Sequence, residues 1–200
     1  MLNIRIVCVG KLKERFYADA AKEYMKRLSG YCKLEVIEIP EHRIQEGREG
    51  RLVENSQFTI HDSQFVSHKP QPSTHNPQST IISGGSRGHS SQVAIALEKE
   101  RIAVEGKVPS GAVRVALCVE GREMDSRGLS DFLAGCSVRG ASRLCFMIGG
   151  SFGLHEDIKD SADVKLSMSK MTFPHNLARV MLLEQLYRAF KITEGGKYHK

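Results

Sequence analysis

Apolar positions along the chain follow two patterns. Nearly continuous short runs occupy Leu2 to Val9, Lys33 to Ile39, Val113 to Val119, Leu144 to Ile148 and Val164 to Ser167. Between them, over Lys13 to Leu28, around Val93 to Val104, and over Ser126 to Val138 and His175 to Ile192, apolar residues recur with the helical period. The runs predict strands and the periodic stretches predict amphipathic helices. Short apolar strands flanked by helices imply an α/β fold, a largely parallel sheet with helices on both faces.

From about Asn55 to Ser91 the pattern lapses into Ser, Gln, His and Pro, with only Asp62, Lys69 and Arg87 charged. Gln57, Gln64, Gln71 and Gln78 repeat every seven residues, as do His61, His68 and His75. The repeat lacks two apolar positions per heptad, and Pro70, Pro72 and Pro77 break any helix there, so it is no coiled coil. Too little apolar surface is available to offset the entropy of ordering, and the segment is expected to be a disordered or loosely ordered insertion in a single domain spanning residues 1–200. A tandem duplication accepted in a surface loop accounts for it, since added loop length costs little closure entropy. The three histidines come without a Cys or carboxylate cluster that would define a metal geometry, so no metal site is expected.

Two hundred residues, 40% hydrophobic and 26% charged, describe a globular domain with a substantial core. No apolar run approaches the roughly 20 residues that a membrane-spanning helix needs. Arg5, Lys11 and Lys13 interrupt the N-terminal run where a signal peptide would have an unbroken core, so the expectation is a cytoplasmic protein. Cys8, Cys32, Cys118, Cys136 and Cys145 show no paired spacing and read as reduced thiols, several of them in strand cores. A formal charge of +6 and a pI near 9.1 suit a polyanionic partner. Arg122, Arg127, Arg139 and Arg143 are candidate phosphate contacts, although ordinary solvated helix charge would look the same.

Chemistry concentrates after Phe146. The strand ending at Ile148 runs into Gly149-Gly150-Ser151-Phe152-Gly153, and glycines at the carboxyl end of a parallel strand let backbone approach a ligand closely. The loop lacks the spacing of a P-loop or a dinucleotide fold, so a plain tight turn is the competing reading. The second loop, Met168-Ser169-Lys170-Met171-Thr172-Phe173, mixes apolar bulk with free backbone amides and carbonyls, which suits an adenine ring. Alternatively it starts a helix, with Thr172 as cap and Pro174 in the first turn. His155 and His175 each open a helix, where histidine is more often structural than catalytic. In the last helix Leu177, Val180, Met181, Leu183, Leu186, Tyr187 and Phe190 make a wide apolar face, with Arg179, Glu184, Arg188 and Lys191 largely opposite. Glu184 and Arg188 are spaced to pair on the surface.

FMIGGSFGLH (Phe146 to His155), LSMSKMTFPHNLARVMLLEQLYRAFKI (Leu166 to Ile192) and YHK (Tyr198 to Lys200), with the opening MLNIRIVCVGKLKERFYADAAKEYMKRL and the IEIP at Ile37 to Pro40, closely resemble the RlmH family of SPOUT-class RNA methyltransferases. The likeness covers about four fifths of the chain. It implies a SPOUT fold with a C-terminal trefoil knot and a symmetric homodimer. It also implies S-adenosyl-L-methionine as methyl donor, bound by Leu117, Gly149, Gly150 and Met168 to Phe173 (Met168, Ser169, Lys170, Met171, Thr172 and Phe173).

By the same resemblance Arg188, Tyr198 and His199 form the catalytic group. Without it the tail after Gly195 and Gly196 would read as frayed. The implied reaction is methylation of N3 of a pseudouridine in helix 69 of 23S rRNA within the large subunit or the 70S ribosome. The alternatives are a SPOUT methyltransferase with another RNA target, or a non-catalytic RNA-binding or ribosome-assembly protein that retains the fold.

Overall fold

The computed structural model describes residues 1–42, 44 and 87–195, with side chains of the second segment from residue 91 onward. The expected insertion before residue 87, its glutamine and histidine repeats included, lies outside the described residues. Chain order is β1 (Leu2–Val9), α1 (Arg15–Leu28), β2 (Cys32–Ile39), α2 (Arg87–Glu105), β3 (Val113–Glu123), α3 (Ser126–Val138), β4 (Arg143–Ile148), α4 (Glu156–Asp160), β5 (Val164–Ser167) and α5 (His175–Thr193). All strand pairings are parallel, in the order β2-β1-β4-β3-β5.

The apolar runs form strands because both of their faces are covered. On one face Ile4, Ile6, Cys8, Phe146 and Val115 pack against Leu28 of α1, Leu129 and Leu133 of α3, and Leu182, Leu183 and Leu186 of α5. On the other, Val7, Val9, Cys145, Met147 and Ala116 meet Val104 of α2 and Ile158 of α4. Successive strand residues thus point into different cores, which is why β4 after Arg143 and the second half of β1, Ile6 to Val9, show no polar alternation. Four of the five cysteines are buried and Cys118 is half-buried, all of them free thiols. Burial pushes Cys8 up to about 12, and Cys32 and Cys145 to about 11.

Two elements depart from the sequence expectation. α2 begins at Arg87, six residues before Val93, so the last residues assigned to the insertion belong to this helix. β3 runs to Glu123, beyond Val119, because it meets β5 twice. Leu117 pairs with Leu166, the chain steps out, and Arg122 pairs with Leu166 again while Glu123 pairs with Ser167. The return requires a glycine. A Cβ on Gly121 would lie 2.7 Å from the backbone carbons of Lys165 and Leu166, closer than any side chain tolerates.

Candidate functional site

Strand register decides what is brought together at the carboxyl edge of the sheet. Leu117 in the middle of β3 is the partner of both Ile148 on β4 and Leu166 on β5. Ile148 leads directly into the glycine loop, and Leu166 is followed after one residue by the Met168 loop. Three segments far apart in sequence therefore meet as neighbours. Leu117 and Met168 are half-buried against the core and form an apolar floor.

The glycine loop is a closed turn. The Gly153 amide donates to the Gly150 carbonyl at 3.0 Å, and Gly153 has φ +79°. A Cβ on Gly149 would overlap the Gly153 carbonyl carbon and oxygen, so only glycine fits there. In the second loop the Ser167 hydroxyl donates to the Ser169 carbonyl at 2.9 Å, and the Ser169 hydroxyl accepts from the Met171 amide at 3.1 Å. These two bonds hold the turn from within. Ser169 and Phe173 are half-buried, while Lys170, Met171 and Thr172 are exposed. Met171 is 67% exposed. Pro174 is the N-cap of α5, and its carbonyl accepts from the Ala178 amide at 2.9 Å. No side chain caps this helix, so Thr172 does not serve as the cap.

Both helix-opening histidines are in place. His155 caps α4, with Nδ1 accepting from the Asp157 amide at 3.1 Å. His175 begins α5 beside Gly10 at the end of β1. Arg188 pairs with Glu184, as their spacing suggests, with Nη2 at 2.6 Å and Nε at 3.0 Å from Glu184 Oε1. It stands 13 residues after His175 on a helix, hence about 20 Å along α5 from the second loop. Within one chain Arg188 thus stands apart from the second loop. Tyr198 and His199 lie outside the described residues. Arg122, Arg127, Arg139 and Arg143 are all exposed.

Sequence patterning misplaced Arg179. It faces the protein interior, 1% exposed, with Nη1 donating to Glu38 Oε1 at 2.5 Å and Nη2 to the Gly10 carbonyl at 2.8 Å. Glu38 Oε1 also accepts from the Leu12 amide at 3.1 Å. A broad apolar stripe at helical spacing gives no sign that one cation inside it has a carboxylate waiting on β2. Glu41 and the buried Glu100 were likewise not singled out. The Glu100 carboxylate accepts from the His42 amide at 2.8 Å, and burial raises its pKa. Among the described residues no group of three or more His, Cys, Asp or Glu could hold a metal.

Among the described residues, an all-parallel sheet covered by helices on both faces, with two loops gathered at its carboxyl edge, defines the α/β class. The chain belongs to the SPOUT methyltransferase family, whose model, described as "Predicted SPOUT methyltransferase", matches residues 2–68 and 76–199. The gap, residues 69–75, falls inside the heptapeptide repeat. Curated relatives that match 100% of both chains include "Ribosomal RNA large subunit methyltransferase H 1" of Clostridium perfringens (strain SM101 / Type A), at 36% identity over 199 residues. "Ribosomal RNA large subunit methyltransferase H" of Clostridium botulinum (strain Eklund 17B / Type B) is 37% identical, and that of Clostridioides difficile (strain 630) is 35% identical, over the same length. No helix among the described residues is long and apolar enough to cross a membrane.

Proposed function

We propose that this protein methylates N3 of a pseudouridine in helix 69 of 23S rRNA, working as a homodimer in the cytoplasm on the large subunit or the 70S ribosome with S-adenosyl-L-methionine as donor. The observation that carries the reading is the register that sets Leu117, the Gly149 loop and the Met168 loop side by side. The residues suit this donor. Gly149 lets the first loop close tightly on Gly153, and Leu117 and Met168 offer apolar contact beside it. The relatives' names support an rRNA substrate. When bound, the donor supplies an electrophilic methyl group on a sulfonium.

The protein's own task is positioning and proton management. Gly149, Gly150, Met168, Ser169, Lys170, Met171, Thr172 and Phe173 orient the donor and keep water from it. Tyr198 stacks on or hydrogen-bonds the target base, and His199 takes the imide proton. Arg188 favours the ionised base. Its distance from the loops of its own chain supports a site completed across a two-fold axis, each subunit lending Arg188, Tyr198 and His199 to its partner's loops. The second meeting of β3 with β5, with Gly121 against the Lys165–Leu166 backbone, supports a C-terminal trefoil knot.

Incubating the purified protein with ribosomes and donor, then mapping helix 69 nucleosides by mass spectrometry, tests this. One added methyl group on a pseudouridine is expected. Methylation elsewhere in the RNA would move the assignment to another target, and no methylation at all would overturn the enzymatic reading.

A further inference from the structure

The glycine loop does not hold its shape alone. Glu41, two residues beyond the end of β2, reaches across the carboxyl edge of β1 and accepts two hydrogen bonds at one oxygen from Ser151. The Ser151 amide lies 2.9 Å from Glu41 Oε1, and the Ser151 hydroxyl 2.5 Å. The same oxygen lies 3.0 Å from where a Cβ on Gly150 would stand, so the carboxylate rests directly on the loop backbone. Contact on both residues leaves the loop little freedom to shift.

Glu41 is itself anchored. The next residue, His42, donates its amide to the buried carboxyl of Glu100 on α2 at 2.8 Å. Just before it, the Ile39 carbonyl accepts from the Gly10 amide at 2.8 Å. Bonds on either side therefore fix the turn that carries Glu41. The Ser151 hydroxyl is the largest cause of a Glu41 pKa below the ordinary carboxylate range, with His175 and Lys13 adding favourable charge. At neutral pH the group is an anion, the state that accepts both bonds.

We infer that Glu41 is a positioning residue of the methyl donor site, a clamp from the β2 exit that presets the Gly149–Gly153 loop for the donor. This rests on the donor reading proposed above. The physical basis is preorganisation: a loop already in its bound shape loses less freedom when the ligand arrives, so affinity rises without any contact between clamp and ligand. Removing the clamp should weaken donor binding while leaving turnover at saturating donor nearly intact, since Glu41 touches no reacting atom.

The test compares wild type with Glu41→Ala, Glu41→Gln and Ser151→Ala, using calorimetric titration with S-adenosylhomocysteine, thermal unfolding, and hydrogen exchange of the Gly150–Gly153 amides without ligand. Glu41→Ala is expected to raise Kd about tenfold, equivalent to about 1.4 kcal/mol, and to speed exchange at Ser151, with the melting temperature held. Glu41→Gln keeps an acceptor oxygen and should recover most of the affinity. Ser151→Ala keeps the amide bond and should fall between. Unchanged affinity and unchanged Ser151 exchange in Glu41→Ala would overturn the clamp. If wild type itself fails to bind, the donor reading falls, and faster Ser151 exchange in Glu41→Ala then supports the clamp as a loop support while its role toward the donor is overturned.

Discussion

Arg179 and Glu38 make a double-mutant test of why a cation sits in the core. The guanidinium side chain is 2% exposed and Glu38 is 34% exposed. Replacing Glu38 by Leu leaves a buried charge with only the Gly10 carbonyl of its two hydrogen-bond partners, and breaking a buried pair in this way costs about 3–5 kcal/mol. Because Glu38 is one-third open, water can reach the orphaned group, and the lower end of that range applies. Arg179→Met acts differently. Glu38 regains water and keeps the Leu12 amide, so the loss is chiefly the unsatisfied Gly10 carbonyl, about 1–3 kcal/mol. In the double variant no buried charge remains, and its cost should lie near that of Arg179→Met alone. The expected non-additivity is at least about 2 kcal/mol. Urea titration at fixed protein concentration measures it, with equal m-values confirming comparable unfolding. For a domain of this size a loss of 3 kcal/mol lowers Tm by about 6–12 °C. Costs that simply add within about 0.5 kcal/mol would show that the two groups do not depend on each other, and the account of Arg179 would fail.

Gly149→Ala should abolish binding of S-adenosylhomocysteine in calorimetry, since the new methyl overlaps the Gly153 carbonyl and forces the loop open; retained affinity would mean the turn is not part of the donor site. Removing Tyr198 to Lys200 should leave that affinity within about twofold of wild type and eliminate ribosome methylation, and surviving turnover would remove the tail from the active site. Stability should decline as pH rises above about 9. Unfolded thiols ionise there, while folded Cys32 and Cys145 stay protonated to about 11 and Cys8 to about 12. Each folded pKa is raised, so its contribution is complete below 9 and is lost towards 11 to 12, at up to about 1.4 kcal/mol per pH unit per thiol. Urea midpoints across that range should show a shallower slope in Cys8→Ala.

Strands and helices were legible because burial on both faces writes itself into sequence as unbroken apolar runs, as in Ile6-Val7-Cys8-Val9. The glycine loop was legible because a turn this tight admits no other residue at Gly149. What escaped depends on partners remote in the chain. The extension of β3 to Glu123 exists only because β5 returns to it, and Arg122 and Glu123 carry no strand signature of their own. The burial of Arg179 depends on Glu38, 141 residues earlier. Glu41 belongs to the loop support through Ser151, 110 residues later, and neither position has a local feature that announces the link. The start of α2 at Arg87 was hidden by a Ser- and Gly-rich approach that reads as more insertion.

β1 lies between β2 and β4 in the sheet, yet the strand that covers its second edge arrives late. Asn3 and Ser142, joined where β1 meets β4, are separated by 139 residues. Ribosomes add about 5–20 residues per second, so a nascent chain carries Leu2–Val9 for roughly 7–30 s with that edge open. During this interval the newborn polypeptide shows neighbouring molecules an apolar ribbon of unpaired amides and carbonyls, the kind of surface on which chains join wrongly, and chaperone cover would be of most use to it before Ile148 is made.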